Sequence, residues 1–92
     1  MDKFSKLLGT IIAEQENIIG PIAIEQAKKV TGLNINWPEK KVIINGDKKT
    51  ILESLINRYK NIFGQASVEV CREILHSMAA DISKEQIPSI LQ

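Results

Sequence analysis

The feature that most constrains the fold of this chain is an internal repeat. Residues 7–30 align with residues 51–74 without a gap, at an offset of 44 positions, and six of the 24 aligned pairs are identical. The most specific part of the match is the run Asn-Ile-(Ile/Phe)-Gly, which ends at Gly20 in one copy and at Gly64 in the other. Each copy carries one apolar face that it cannot bury alone. The repeat therefore predicts two similar helical units that pack together.

Both units have the period of amphipathic helices, and a glycine divides each of them. Apolar residues recur every three to four positions, which is the spacing of one helix face. Glycine favours a helix end and proline suits the first turn of a new helix, so Gly20-Pro21 and Gly64 each separate two helices. The predicted helices span about 2–19, 21–30, 48–63 and 65–80.

Between the two units, residues 33–46 alternate with the period of a β-strand. A four-residue turn after Trp37 places that residue opposite Val42. The same turn places Ile35 opposite Ile44, so that the four side chains share one face. The pattern predicts a β-hairpin. A hairpin of this size is only marginally stable alone, so it must pack on the helices or on another chain.

The predicted fold is mainly α with a small β-hairpin, in which two repeated helix–Gly–helix units flank a central hairpin. A chain of 92 residues has room for one such domain. Asp47 or Thr50 can cap the helix that follows the hairpin. Ser83 and Gln86 have the spacing of a capping box, which predicts one or two helical turns near the C-terminus. The predicted boundaries within the single domain 1–92 are about 4–32 for the first unit, 33–46 for the hairpin, about 47–82 for the second unit and 83–92 for the tail.

Composition excludes several classes of protein. The formal net charge is only +1, which argues against a protein built mainly to bind nucleic acid or acidic lipid. Cys71 is the only cysteine and His76 the only histidine, so the chain by itself cannot form an internal disulfide or a cysteine–histidine zinc site. No segment has the pattern of a signal peptide or a transmembrane helix, and we expect a cytoplasmic protein with no membrane partner.

The segment 17–23, Asn-Ile-Ile-Gly-Pro-Ile-Ala, resembles a Gly-Pro-Ile-Ala helical segment in accessory regions of bacterial signalling proteins, including the C-terminal ends of some serine/threonine kinases. In those regions the segment opens a short helix, and a second helix and a tail similar to residues 71–82 follow. The resemblance covers about a third of the chain, and the hairpin and the third helix depart from it. It implies a non-catalytic interaction or regulatory role.

Groups that could support catalysis are few and scattered. Cys71 lies on the apolar stripe of its helix, which favours a buried and inert thiol, and His76 points about 140° away from it. Glu25 and Glu69 are equivalent in the repeat, so they could pair near a twofold axis, although capping or salt bridging near a helix start is the commoner role. No phosphate-binding loop or metal motif is present. We therefore predict no enzymatic activity, no catalytic residue, no metal and no cofactor.

The predicted function is a non-catalytic protein-interaction or oligomerisation module with a regulatory or signalling role. Small domains gain stability from oligomers, and a symmetric homodimer is the commonest form. The apolar hairpin offers surface that one small core does not cover. We expect a homodimer, and in addition a protein partner that the sequence does not identify. The predicted interface residues are Ile35, Trp37, Val42, Ile43 and Ile44.

Two alternatives stay open at the level of sequence. A lysine-rich helix and hairpin predict a small nucleic-acid-binding regulator, although arginine, the usual contact to base edges, is absent there. The candidate contacts are Lys28, Lys29, Lys40, Lys41, Lys48 and Lys49. The other alternative is a hydrophobic ligand pocket between the helical pairs, with Gln15 and Tyr59, at equivalent positions of the repeat, as its polar groups.

Overall fold

The predicted mainly α fold with a central hairpin is confirmed in the computed structural model, which describes residues 3–37, 39–78 and 87–88. The elements in chain order are α1 (Lys3–Ile19), α2 (Ile22–Lys28), β1 (Leu33–Asn36), β2 (Lys41–Ile44), α3 (Lys48–Phe63) and α4 (Gln65–Ser77). The helix α3 has the predicted bounds, whereas α2 ends two residues earlier than predicted. The predicted capping box at Ser83 and Gln86 lies outside the described residues.

Each unit turns a corner at its glycine in the same way. Gly20 has a φ of +80° and Gly64 a φ of +75°, a left-handed conformation that favours glycine. The N–H of Gly20 donates to the carbonyl of Glu16 at 2.9 Å, and the N–H of Gly64 donates to the equivalent carbonyl of Lys60 at 2.7 Å. These bonds satisfy carbonyls that a helix end would otherwise leave free. We call the turn at Gly20 the first corner and the turn at Gly64 the second corner.

The predicted cap of α3 is confirmed, and both candidate residues take part in it. The Asp47 carboxylate accepts a hydrogen bond from the backbone N–H of Thr50 at 2.9 Å and one from its hydroxyl at 2.6 Å. Hydrogen bonds from the Thr50 hydroxyl and N–H lower the pKa of Asp47. The start of α3 is therefore fixed directly after the hairpin.

The buried faces of α1 and α3 match position by position, as the repeat requires. The helix α1 packs against α4, and α2 packs against α3, so each unit covers the apolar face of the other. Burying both faces in one core is the solution that the repeat predicts. The matched core residues are Leu7, Leu8, Ile11 and Ile12 in α1, and Ile51, Leu52, Leu55 and Ile56 in α3.

The hairpin has a different register from the one predicted. Leu33 pairs with Ile44, and Ile35 pairs with Val42. The prediction that Trp37 lies opposite Val42 is therefore wrong by two residues. Because side chains alternate with a period of two, this shift leaves the same apolar set facing the helices.

The contacts where β1 begins and β2 ends explain why the observed register is preferred. In the predicted register Leu33 would lie opposite Gly46, whereas in the structure it packs beside the side chain of Ile44 and is only 5% exposed. The pairing is closed by a hydrogen bond from the N–H of Asn45 to the carbonyl of Gly32 at 2.7 Å. The cross-strand contact of Leu33 with Ile44 favours this register by about 0.2–1 kcal/mol.

Replacing Gly9 by alanine is expected to raise the free energy of unfolding by about 0.5–1 kcal/mol. Gly9 lies inside α1, and a Cβ there would meet the carbonyl oxygen of Lys40 and a methyl group of Val42 at 3.7 Å, which is an ordinary contact. Gly64→Ala serves as the opposite case, because a φ of +75° with a ψ of −159° is a conformation almost restricted to glycine, and the change should cost about 1–3 kcal/mol. Urea unfolding measures both. A loss of stability in Gly9→Ala would mean that the hairpin packs more tightly on α1 than described.

Candidate interaction surface

Two buried polar side chains join the units in a reciprocal pattern. The Gln15 amide donates to the backbone carbonyl of Ser67 at 3.3 Å, and the Ser67 hydroxyl donates to the amide oxygen of Gln15 at 3.2 Å. Tyr59, the equivalent of Gln15, donates its hydroxyl to the carbonyl of Ala23 at 2.8 Å. Ala23 is in turn the equivalent of Ser67. Because equivalent bonds run in both directions between the units, an approximate twofold rotation relates them.

These reciprocal bonds place both corners at the same end of the molecule. Ser67 follows the second corner by three residues, and it is bonded to the penultimate turn of α1, which leads to the first corner. Ala23 follows the first corner by three residues and is bonded to the penultimate turn of α3. We call this end the corner face, and it comprises residues 18–22 and 62–66.

Large apolar side chains are exposed on the corner face. Ile18 is 45% exposed and its equivalent Ile62 is 41% exposed. Phe63 is 46% exposed, and Ile22 is 37% exposed. These are four of the five large apolar residues that are exposed in the described part of the chain, the fifth being Ile43. Single exposed apolar residues are normal, but a cluster of them is typical of an interaction site.

The corner face is not among the predicted interface residues, although the sequence carries a signal for it. The strongest match of the repeat is the run that ends at each glycine, and it contains Ile18 and Ile62. These residues fit the apolar period of their helices, so the pattern assigned them to the core. Only the packing of the four helices shows that the last turns of α1 and α3 carry exposed apolar side chains.

The hairpin face that was predicted as an interface packs mainly on the protein's own helices. Val42 is buried, and Ile35, Trp37 and Ile44 are partly buried against the core. Ile43 points to the outer face of the hairpin and is 64% exposed. Of the five predicted interface residues, Ile43 is therefore the most exposed.

The tip of the hairpin is also tied to α1. The indole N–H of Trp37 donates to the Glu16 carboxylate at 3.3 Å. Val42 lies directly over Gly9, and a Cβ at this position would stand 3.7 Å from one of its methyl groups. These contacts explain why Trp37 is partly buried although it lies at a turn.

The six candidate lysines of the nucleic-acid alternative divide into two groups. Lys40 and Lys41 lie exposed at the tip of the hairpin, and the other four lie beside its base, at the end of α2 and the start of α3. A four-residue strand is about 13 Å long, and it separates the groups. Lys48 is partly buried, with its ammonium 5.7 Å from the centroid of the Phe4 ring. The structure therefore does not gather these lysines into one patch.

The polar groups of the predicted ligand pocket lie inside the core. Gln15 and Tyr59 are fully buried, and each is hydrogen-bonded to a backbone carbonyl of the other unit. Burial raises the pKa of Tyr59 well above its usual range, so its hydroxyl stays protonated and continues to donate. Groups whose hydrogen bonds are already made within the protein are poor anchors for a ligand.

The prediction that Cys71 is buried is confirmed. Burial raises the pKa of its thiol to about 11, and a hydrogen bond from the Gln15 amide at 3.8 Å offsets part of this rise. A thiol that stays protonated at neutral pH is a poor nucleophile. His76 is exposed on the following turn.

The two equivalent glutamates of the repeat lie on exposed helix surfaces. Glu69 accepts a hydrogen bond from Gln65 at 3.2 Å and forms a salt bridge with Arg72 at 2.6 Å. The hydrogen bond from Gln65, followed by that from Arg72, lowers the pKa of Glu69. Glu25 is exposed. Within residues 3–37, 39–78 and 87–88, no group of three or more histidine, cysteine or acidic residues is placed to hold a metal ion.

No family model matches the chain, and neither a curated protein nor a solved structure is significantly similar to it. None of the helices in the described ranges is both long enough and apolar enough to cross a bilayer.

Proposed function

We propose that this chain is a non-catalytic protein-interaction module that works as a homo-oligomer and uses the corner face as its contact surface. The observation that carries the proposal is the exposure of Ile18, Ile22, Ile62 and Phe63 at one end of the molecule. Burying such side chains between two proteins gains about 25 cal/mol for each Å² of apolar surface. Aromatic side chains such as Phe63 often dominate the energy of an interface.

The rest of the structure supports a binding role over a chemical one. The buried thiol, the buried phenol and the buried amide are all engaged inside the core. The charged groups near the helix starts cap a helix or form a local salt bridge. The resemblance of residues 17–23 to accessory segments of signalling proteins is consistent with a regulatory role for the contact.

Phe63→Ser is expected to convert the oligomer to a monomer at concentrations where the wild type is associated. The change removes one apolar side chain from each copy, so it acts twice in a dimer and should raise the dissociation constant about a hundredfold. Light scattering after size-exclusion chromatography gives the mass, to be compared with 10.3 kDa for one chain. Circular dichroism checks the fold, because an exposed substitution should change stability by less than about 0.5 kcal/mol.

Ile43→Ser is the matched control, since it removes a large exposed apolar side chain from the hairpin instead. We expect it to leave the mass unchanged. Dissociation by Ile43→Ser with no effect of Phe63→Ser would assign the contact to the hairpin, as the sequence predicted. A wild-type chain of 10.3 kDa at high micromolar concentration would contradict self-association altogether.

A further inference from the structure

The two corners are similar in their apolar residues but opposite in the charges that precede them. Glu14 and Glu16 lie in the turn before the first corner. The equivalent positions before the second corner are occupied by Arg58 and Lys60. We call Glu14 and Glu16 the acidic rim, and Arg58 and Lys60 the basic rim. The approximate twofold rotation therefore relates the acidic rim to the basic rim. A similar set of apolar residues at the two corners is combined with an inversion of charge.

The charged positions that follow the corners most closely do not differ between the units. Glu25 corresponds to Glu69, and Lys28 corresponds to Arg72, so these two pairs keep their sign. Lys29 corresponds to Glu73 and reverses its sign, but this pair lies nine residues beyond each glycine. The two pairs that keep their sign contribute equally at both corners and cannot distinguish one corner from the other. The difference between the corners thus comes from the helices α1 and α3 that lead into them.

The size of a stable interface requires that these rims be buried along with the apolar centre. A specific dimer covers about 800 Å² on each partner, which is roughly one sixth of the 5208 Å² surface of this chain. Four partly exposed side chains supply only part of such an area. A partner seated on the corner face must therefore also meet the charged turns of α1 and α3, and its charges decide how it fits.

A second copy of the chain meets this requirement in one orientation. Two copies can face each other with first corner opposite first corner, or with first corner opposite second corner. When like corners face each other, the acidic rims of the two copies meet, and so do the basic rims. When the first corner of one copy faces the second corner of the other, each acidic rim meets a basic rim. The twofold axis of the dimer makes this favourable contact twice.

Resting on the proposed function, we infer that the occupant of the corner face is a second copy, docked with its second corner against the first corner of its partner. Of the rim residues, Glu16 is bonded to Trp37, and Arg58 donates to Gln26 at 3.1 Å. Glu14 and Lys60 are exposed and carry no such bond within the described part of the chain. These two side chains are the ones free to pair between copies.

Reversing one of these charges should weaken the dimer, and reversing both should restore it. Glu14→Lys and Lys60→Glu each turn two attractive contacts per dimer into repulsive ones, which should raise the dissociation constant about tenfold at low salt. The double variant Glu14→Lys/Lys60→Glu again pairs opposite charges and should return to the wild-type value. Analytical ultracentrifugation at low and high salt measures these constants, and salt should reduce the differences.

Lys6→Glu and Glu53→Lys are matched controls, because they make the same changes of charge at exposed positions in the early turns of α1 and α3, away from the corners. We expect them to change the dissociation constant less than about twofold. Single reversals that leave the dimer unchanged, while Phe63→Ser dissociates it, would overturn the orientation and leave the proposed function standing. Equal weakening by the controls would also overturn the orientation. A monomeric wild type would overturn both.

Discussion

Truncating Leu8 or Leu52 to alanine is expected to lower the free energy of unfolding by about 3 kcal/mol in each case. The two leucines are identical positions of the repeat, and both are fully buried. Each lies in the middle of the face that its helix presents to the other unit, so the surrounding side chains cannot collapse into the space that is left. A domain of this size is stable by about 5–10 kcal/mol, so either loss is a large fraction of the total.

Urea unfolding monitored by circular dichroism measures these losses, with Ile43→Ala as the exposed control at less than about 0.5 kcal/mol. The dependence on urea should keep the same slope in both variants, because the two units share one core and unfold together. A large loss for Leu8→Ala with almost none for Leu52→Ala would contradict the shared core, since the second unit would then fold without being packed as described.

The helices were predictable because several local signals agree at each boundary. The run that ends at Gly64 fixes the end of α3, and the spacing of Asp47 and Thr50 fixes its start. Apolar residues at helical spacing between these two points leave one face to bury. Where one signal is missing the prediction is less accurate. The helix α2 ends at Lys28, before Val30, because the chain must turn early to lead Leu33 into the hairpin.

The register of the hairpin shows what alternation alone cannot determine. Two registers that differ by two residues place the same side chains on the same face, so the apolar pattern does not distinguish them. The choice depends on contacts made outside the hairpin. Leu33 gains Ile44 as a neighbour, and Trp37 gains Glu16 of α1 as a hydrogen-bond partner. Both contacts depend on how the hairpin docks on the helices.

The candidate interaction surface was less predictable than the fold for a similar reason. An apolar residue on the inner face of a helix has the same sequence pattern whether the partner helix covers it or ends one turn earlier. Ile12 and Ile18 both fit the period of α1, yet Ile12 is fully buried and Ile18 is 45% exposed. The reciprocal bonds of Gln15 and Tyr59 mark the boundary, because beyond them the helices run on towards the corners.

Raising the pH from 9 to 11 is expected to reduce the stability of the fold by about 2 kcal/mol through Cys71 alone. Burial raises the pKa of this thiol from its ordinary value of 9.0 to about 11. In that range the unfolded chain has already lost the thiol proton while the folded chain still holds it. The folded state therefore binds more protons than the unfolded state, and stability falls as the pH rises. The contribution is fully present below pH 9.

Tyr59 adds to the loss above its ordinary pKa of 10.0, because burial raises the pKa of its hydroxyl in the same direction. Cys71→Ala should therefore flatten the loss of stability between pH 9 and 10, where Tyr59 is still protonated in the unfolded chain. Tyr59→Phe should leave that range unchanged and flatten the curve above pH 10. Each variant starts from a lower stability, so the quantity to compare is the slope of the unfolding free energy against pH. A wild-type slope that neither variant changes would contradict the burial of both groups.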